Sequence, residues 1–315
     1  MVYFRGLVLD FKDVLAKIGV SGSDKVTLLT GDASTRKYYR AESNEGSYII
    51  MYGEPYPVSD PNIVNYGILK KAGIRIPEFI KMDPKYGVII EEDIGSVHLQ
   101  DVDNKELLEQ YYYTAIKNMQ TFHRCRSDIS FTKQKFISEL NMTLDYYVKA
   151  YKGRKNVDVE LVDAVNEKIV SSMMDQPTAY LHRDYHSRNM MVKNGELVLI
   201  DFQDARMGPY SYDIASLVID PYISLDDVFR DNLVSTYYDL VANPLFGVSM
   251  DDYINHYSLC YLQRGIKMLG TFSYQKVERG KDAYLKYIPQ VINRIKNISS
   301  KFTDWSEIIE EVYIR

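Results

Sequence analysis

Apolar and polar positions change rhythm once along the chain, near residue 100. Before it, short runs rich in β-branched and aromatic residues at 26–29, 38–40, 48–52, 78–82 and 88–91 are separated by turn residues such as Gly31-Asp32 and Asn44-Glu45-Gly46. That is the pattern of an antiparallel meander. One helix is expected within it, at 61–72, with Pro61 at its start and Gly73 just past its end. Another is expected ahead of it at 10–18, where Leu9, Val14, Leu15 and Ile18 share a face and the segment from Gly19 to Gly22 stops the run. After residue 104 helical spacing dominates, at 105–125, 133–151 and 158–174 and again at 212–218, 224–243, 250–271, 280–287 and 288–299. Between these two sets of helices, the aliphatic run Leu197-Val198-Leu199-Ile200 reads as a buried strand.

The change of rhythm predicts an α+β chain in two lobes. A small antiparallel sheet lobe spans 1–93, and a mostly helical lobe spans 94–315. The acidic segment Glu92-Asp93-Ile94-Gly95-Ser96 leaves the sheet and marks the boundary. With 315 residues, 46% of them hydrophobic, the chain can bury a sizeable core.

A net charge of -5 and a pI near 5.6 argue against nucleic-acid or anionic-membrane partners and leave a small-molecule substrate open. No run is long enough for a membrane span, and residues 1–17 are broken by Arg5, Asp10, Lys12 and Asp13, unlike a signal peptide. Two cysteines, Cys125 and Cys260, provide no disulfide framework. These features predict a cytoplasmic protein. The 28 tyrosines read as composition bias, with Tyr at the edge of the core.

The chemistry lies in His182-Arg183-Asp184-Tyr185-His186-Ser187-Arg188-Asn189 and, after the aliphatic run, Asp201-Phe202. Phosphoryl transfer from ATP needs a carboxylate that takes the acceptor hydroxyl's proton and ligands that hold Mg2+ on the phosphates. Asp184 suits the first task, and Asn189 and Asp201 suit the second, since Mg2+ favours a few hard oxygens over a closed protein cage. His182 and Arg188 are further catalytic candidates, His182 as a brace for the loop and Arg188 as a cation for phosphate or a salt bridge within the loop. A zinc pair of His182 and His186 would need a Glu after the first His, where Arg183 stands.

The order of small sheet, acidic hinge, helical lobe, H-R-D loop and D-F strand end resembles the aminoglycoside phosphotransferase and choline kinase superfamily, with its protein-kinase-like two-lobed fold. Within that superfamily, Gly31-Asp32-Ala33-Ser34-Thr35-Arg36-Lys37-Tyr38-Tyr39-Arg40 and Gln263-Arg264-Gly265-Ile266-Lys267-Met268-Leu269-Gly270 resemble the anomeric kinases of N-acetylmuramate and N-acetylglucosamine. The resemblance implies that Gly31, Ala33, Ser34 and Thr35 approach the phosphates through their backbone, with Arg36, Lys37 or Arg40 adding charge. It implies a hinge at 90–93, including Glu91, Glu92 and Asp93, that meets adenine. It implies that Asp213 ties down the catalytic loop. It also puts Arg264 and Lys267, three apart on one helix, beside an acceptor carboxylate; their other reading is a solvated basic face.

The chain departs from the wider kinase pattern in having no Lys in Tyr48-Ile49-Ile50-Met51 and no Glu in 61–72. The leading reading is therefore an ATP- and Mg2+-dependent kinase of an amino sugar's anomeric hydroxyl. Other alcohols, among them aminoglycosides, choline and homoserine, are the alternatives within the fold. A catalytically weak nucleotide-binding regulatory module is the alternative outside it.

Overall fold

A computed structural model describes residues 25–29, 36–44 and 46–315. The helix expected at 10–18 and the turn 31–35 lie outside the described residues. Strands β1 (Lys25–Leu29), β2 (Lys37–Ser43), β3 (Gly46–Tyr52), β4 (Phe79–Asp83) and β5 (Val88–Glu92) form one antiparallel sheet in the order β1-β2-β3-β5-β4. Strand side chains alternate between faces. One face gathers Ala41, Ile50, Val88 and Ile90 into a small core, with Tyr39, Tyr48 and Tyr52 packed on it. The opposite face carries Tyr38, Met51 and Ile89 in one cross-strand row and Arg40, Ile49 and Glu91 in the next.

Helix α1 (Pro61–Lys71) starts where Asp60 accepts a hydrogen bond from the Asn62 amide at 2.9 Å, with proline in the first turn. The Arg36 guanidinium bonds both Asp60 oxygens at 3.2 Å, tying the start of β2 to this cap. Deeper in the helix, the buried Asn65 donates to the carbonyls of Phe202, Gln203 and Ala205, each at 3.1 Å, and accepts from the Tyr180 hydroxyl at 2.9 Å. The helix beside the sheet is thereby fastened to the segment that follows Asp201.

The segment in which β5 leaves the sheet is held by charge. Arg75 grips Glu92 through two bonds of 2.7 and 2.6 Å, and Lys193 reaches the same carboxylate at 2.8 Å. The next residue, Asp93, takes the Arg40 guanidinium at 2.8 Å.

The larger part contains α2 (Lys105–Phe122), α3 (Lys133–Thr143) continued by a π-helical stretch at Leu144–Tyr151, α4 (Val159–Met174), α5 (Tyr212–Val218), α6 (Asp227–Tyr237), α7 (Met250–Val277) and α8 (Ile288–Ser299). Two short antiparallel pairs are set among them. Strand β6 (Thr178–Leu181) pairs with β9 (Arg206–Pro209), and β7 (Met190–Lys193) pairs with β8 (Glu196–Leu199). The α+β expectation holds. Strands β6, β7 and β9 were not foreseen, because four residues are too few to show an alternating pattern. Nor is 280–287 a helix. Gly280 takes a left-handed φ of 64° and ends α7, leaving only a single turn at Leu285–Tyr287.

The tyrosines differ from the edge-of-core expectation. Tyr112, Tyr147, Tyr180, Tyr185, Tyr210, Tyr212, Tyr237 and Tyr253 are among the largest fully buried side chains. Burial is tolerable because most of the hydroxyls find partners: Tyr185 donates to Ala115 O, Tyr237 to Tyr210 O and Tyr253 to Val234 O, at 2.7–2.9 Å. Among the described residues no helix is long and apolar enough to cross a membrane.

The hinge contact has a testable signature. Hydrogen bonds from Arg75 lower the Glu92 carboxyl to about 2, against burial. Its folded value is depressed, so its contribution is present above its ordinary value of 4.5 and is lost as pH falls toward 2. Glu92→Gln should lower urea-unfolding stability by about 1 kcal/mol at pH 7. The gap between variant and parent should narrow below pH 4.5 and close as pH falls through about 2.

Candidate active site

Strand β6 runs directly into the catalytic motif, where Arg183 adopts a left-handed φ of 81°. A non-glycine residue there costs about 1–2 kcal/mol. The conformation is held from both sides. The buried Asp213 carboxylate, in the first turn of α5, accepts the amides of His182 at 2.7 Å and Arg183 at 3.0 Å. Arg264 of α7 donates to the Arg183 carbonyl at 3.2 Å. The family aspartate implied at 213 thus has its loop in its grip.

Asp201 is the second left-handed residue, at φ 63°, placed two residues beyond the end of β8. His182 Nε2 bonds the Ile200 carbonyl at 2.9 Å, and Ile200 N donates to Asn189 O at 3.0 Å. Burial drives the His182 ring down to about 4, so it is a neutral brace between the two halves of the motif. That geometry excludes a helical zinc pair with His186, because residues 182–186 are not helical.

These constraints bring Asp184, Asn189 and Asp201 together. The Asn189 amide nitrogen donates to Asp184 O at 2.9 Å and to Asp201 Oδ2 at 3.3 Å. No hydrogen bond among the described residues engages its oxygen. Asp201 is raised above the ordinary carboxylate range, by burial first and then by the charge of Asp184. An amide oxygen and a carboxylate with excess negative charge suit a hard divalent cation. Among the described residues no group of three or more His, Cys, Asp or Glu side chains is placed to hold a metal ion by itself.

Asp184 is enclosed by cations. Arg264 lies 3.1 Å, Lys267 3.7 Å and Arg183 3.9 Å from its carboxylate, while its side chain keeps 28% of its exposure. Burial pushes its pKa up, but Lys267, Arg183 and Arg264 outweigh burial and hold it well below the ordinary carboxylate value. Glu139 of α3 completes the network, 3.2 Å from Arg183 and 3.5 Å from Lys267. Gln263 donates to its other oxygen at 3.2 Å. The meeting of α3 and α7 depends on Gly270, where a Cβ would lie 2.7 Å from Thr143 Cα.

The expected residues are thus placed as follows. Arg264 and Lys267 do not form a solvated face; Arg264 is buried and the Lys267 side chain keeps 12% of its exposure, both against Asp184. The Arg188 guanidinium stacks 3.8 Å over Tyr222 and bonds Gln100 at 3.1 Å. Arg36 and Arg40 are engaged by Asp60 and Asp93. Lys37 is exposed at the start of β2, and Gly31, Ala33, Ser34 and Thr35 lie outside the described residues. Glu92 and Asp93 spend their side chains on Arg75, Lys193 and Arg40. At the strand–helix contact where kinases set Lys against Glu, Asn62 Nδ2 meets Met51 Sδ at 3.9 Å, a neutral pair. Glu139 and Tyr212, whose hydroxyl meets Arg264 at 3.3 Å, were missed. The available signal for Glu139 was a charge on the apolar stripe of α3, between Phe136 and Thr143.

Removing the Asp213 carboxylate orphans two buried amides, at about 1–3 kcal/mol each. Asp213→Ala should therefore lower stability by about 2–4 kcal/mol in urea unfolding. Asp213→Asn, which keeps one acceptor, should lose less.

Comparison with known proteins agrees with this geometry. An N-acetylmuramate/N-acetylglucosamine kinase of Pseudomonas aeruginosa (strain PAO1) is 25% identical over 292 residues, covering 89% of this chain and 86% of that one. The protein of the same name from Neisseria meningitidis serogroup B (strain MC58) is 24% identical over 89% of this chain and 87% of its own. Among solved structures, choline kinase LicA from Streptococcus pneumoniae superposes with a TM-score of 0.63 at 17% identity, covering 91% of this chain and 98% of that one, and has also been solved with AMP. The fold is that of these protein-kinase-like enzymes. The sequence pattern of the phosphotransferase enzyme family matches residues 25–244, the span that holds both the sheet and the Asp184, Asn189 and Asp201 constellation, and the chain belongs to that family.

Proposed function

We propose that this phosphotransferase moves the γ-phosphoryl group of ATP to the anomeric hydroxyl of N-acetylmuramate or N-acetylglucosamine. The observation that carries the phosphoryl-transfer chemistry is the convergence of Asp184, Asn189 and Asp201. The sugar rests on the printed names of the relatives that match nearly the whole chain.

Asp184 accepts the hydroxyl proton. Its three cations make it a weak base, which suits a hemiacetal hydroxyl, more acidic than an ordinary alcohol. Asn189 and Asp201 would hold Mg2+, which supplies charge neutralisation on the phosphates. Arg264 and Lys267 stand on the acceptor side of Asp184, where their charge favours an acceptor bearing a carboxylate.

Residues 1–93 serve as the nucleotide lobe and 94–315 as the acceptor lobe. The backbone of 90–93 meets the base. Lys37 is the cation added for the phosphates, since Arg36 and Arg40 are held by carboxylates. Choline is disfavoured as acceptor, because the aromatic cluster of Tyr222, Tyr284 and Tyr287 beside the catalytic loop already holds the Arg188 guanidinium.

Asp184→Asn should cut turnover by about 10²–10⁴-fold, with nucleotide affinity little changed by calorimetry. Near-normal turnover would remove Asp184 from the base role. Asp201→Ala should instead weaken magnesium-nucleotide binding itself. The acceptor is tested by incubating the enzyme with ATP, Mg2+ and a panel of amino sugars, alcohols and aminoglycosides, and reading the product by phosphorus NMR. An anomeric phosphate is expected. Turnover only with another acceptor would leave the kinase and overturn the sugar.

A further inference from the structure

Three carboxylates follow one another where β5 leaves the sheet, and they are treated differently. Glu92 is gripped by Arg75 and Lys193, and Asp93 by Arg40. Glu91 has no hydrogen bond or ion pair among the described residues. It sits on the face that carries Ile49 and Met51, directly across from Ile49 of β3 and Phe79 of β4. Burial raises its carboxyl to about 7, with no cation opposing the effect. Phe79 is itself stacked on Tyr66, with ring centroids 3.9 Å apart, so this flank of Glu91 is apolar.

The face of Glu91 turns toward the segment that follows Asp201: Phe79, its cross-strand neighbour, has its ring centroid 6.4 Å from that of Phe202. The hinge backbone at 90–93 runs through Glu91 itself. A desolvated carboxylate without a partner costs free energy, and such groups mark places where a ligand supplies the missing donor.

The donor can be named from the chemistry of the base. Adenine presents an exocyclic amine, whereas guanine presents a carbonyl oxygen at the corresponding ring position. We propose that the Glu91 carboxylate accepts a hydrogen bond from the adenine amine and repels the guanine carbonyl, and so sets the preference of the enzyme for adenine nucleotides. This rests on the nucleotide reading of the site given above, though not on the identity of the acceptor.

The test is calorimetric titration of the full chain, with Mg2+ at pH 8, using the non-hydrolysable analogues AMP-PNP and GMP-PNP, for the parent, Glu91→Gln and Glu91→Leu. The parent should bind AMP-PNP at least about 10-fold more tightly than GMP-PNP, the scale of one charge-assisted hydrogen bond. In Glu91→Gln, whose amide can offer either its oxygen or its nitrogen, the ratio should fall to within about threefold. In Glu91→Leu it should fall through lost AMP-PNP affinity. The thermal midpoint of ligand-free Glu91→Leu should equal or exceed that of the parent, because a half-buried carboxylate without a counter-charge is removed from between Ile49 and Phe79.

An unchanged ratio in both variants would overturn the role of Glu91 while leaving the nucleotide site in place. A drop in the ligand-free midpoint would overturn it too, by revealing a structural partner. Failure of the parent to bind either analogue would overturn the nucleotide reading, and this inference with it.

Discussion

One carboxylate organises the catalytic loop. Asp213 takes the amides of His182 and Arg183 and holds Arg183 in a backbone conformation that an L-residue rarely adopts. From that fixed point the Arg183 side chain reaches Glu139 and Asp204, and the Asp184 side chain comes within 3.1 Å of Arg264. His182 carries the same constraint across to Ile200 and hence to Asp201. The site is a strained segment held by buried hydrogen bonds from elements distant in sequence.

The electrostatic balance around Asp184 follows from that placement. Arg183, Arg264 and Lys267 face Asp184 and Glu139, and Asp204 closes the far side of Arg183. The three cations around Asp184 keep it ionised in a place where burial alone would neutralise it. On the other side of the loop the sign reverses. Asp201 stands near Asp184 with its pKa raised, so negative charge accumulates where a divalent cation is proposed. The two sides give a carboxylate of low basicity next to a carboxylate in need of a counter-ion. That pairing fits proton acceptance from an acidic hydroxyl and metal-assisted phosphoryl transfer.

The sheet and the helical part are joined by polar ties as well as by apolar packing. Asn65 binds three carbonyls in the Phe202–Ala205 segment, and Glu92 is shared by Arg75 and Lys193. A neutral Met51–Asn62 contact stands where kinases use an ion pair. With that pair missing, α1 depends on Asn65, and on Arg36 through Asp60, for its position.

Local sequence determined a good deal. The meander of short strands, the helices at 61–71 and 105–122, and the adjacency of Asp184 and Asn189 on one loop are properties of neighbouring residues, so periodicity, caps and spacing reveal them. The resemblance in residues 31–40, 182–202 and 263–270 pointed to the family. Tertiary structure decided the rest. Glu139 meets Arg183 across 44 residues, and Arg264 meets Asp184 across 80. Such pairs leave no local period, and charge alone does not tell a solvated lysine or arginine from one packed against Asp184. The contrast between Glu91 and Glu92 has the same origin: adjacent residues of one type differ in partner because a strand turns them to opposite faces, and only the packing above and below each face supplies or withholds a cation.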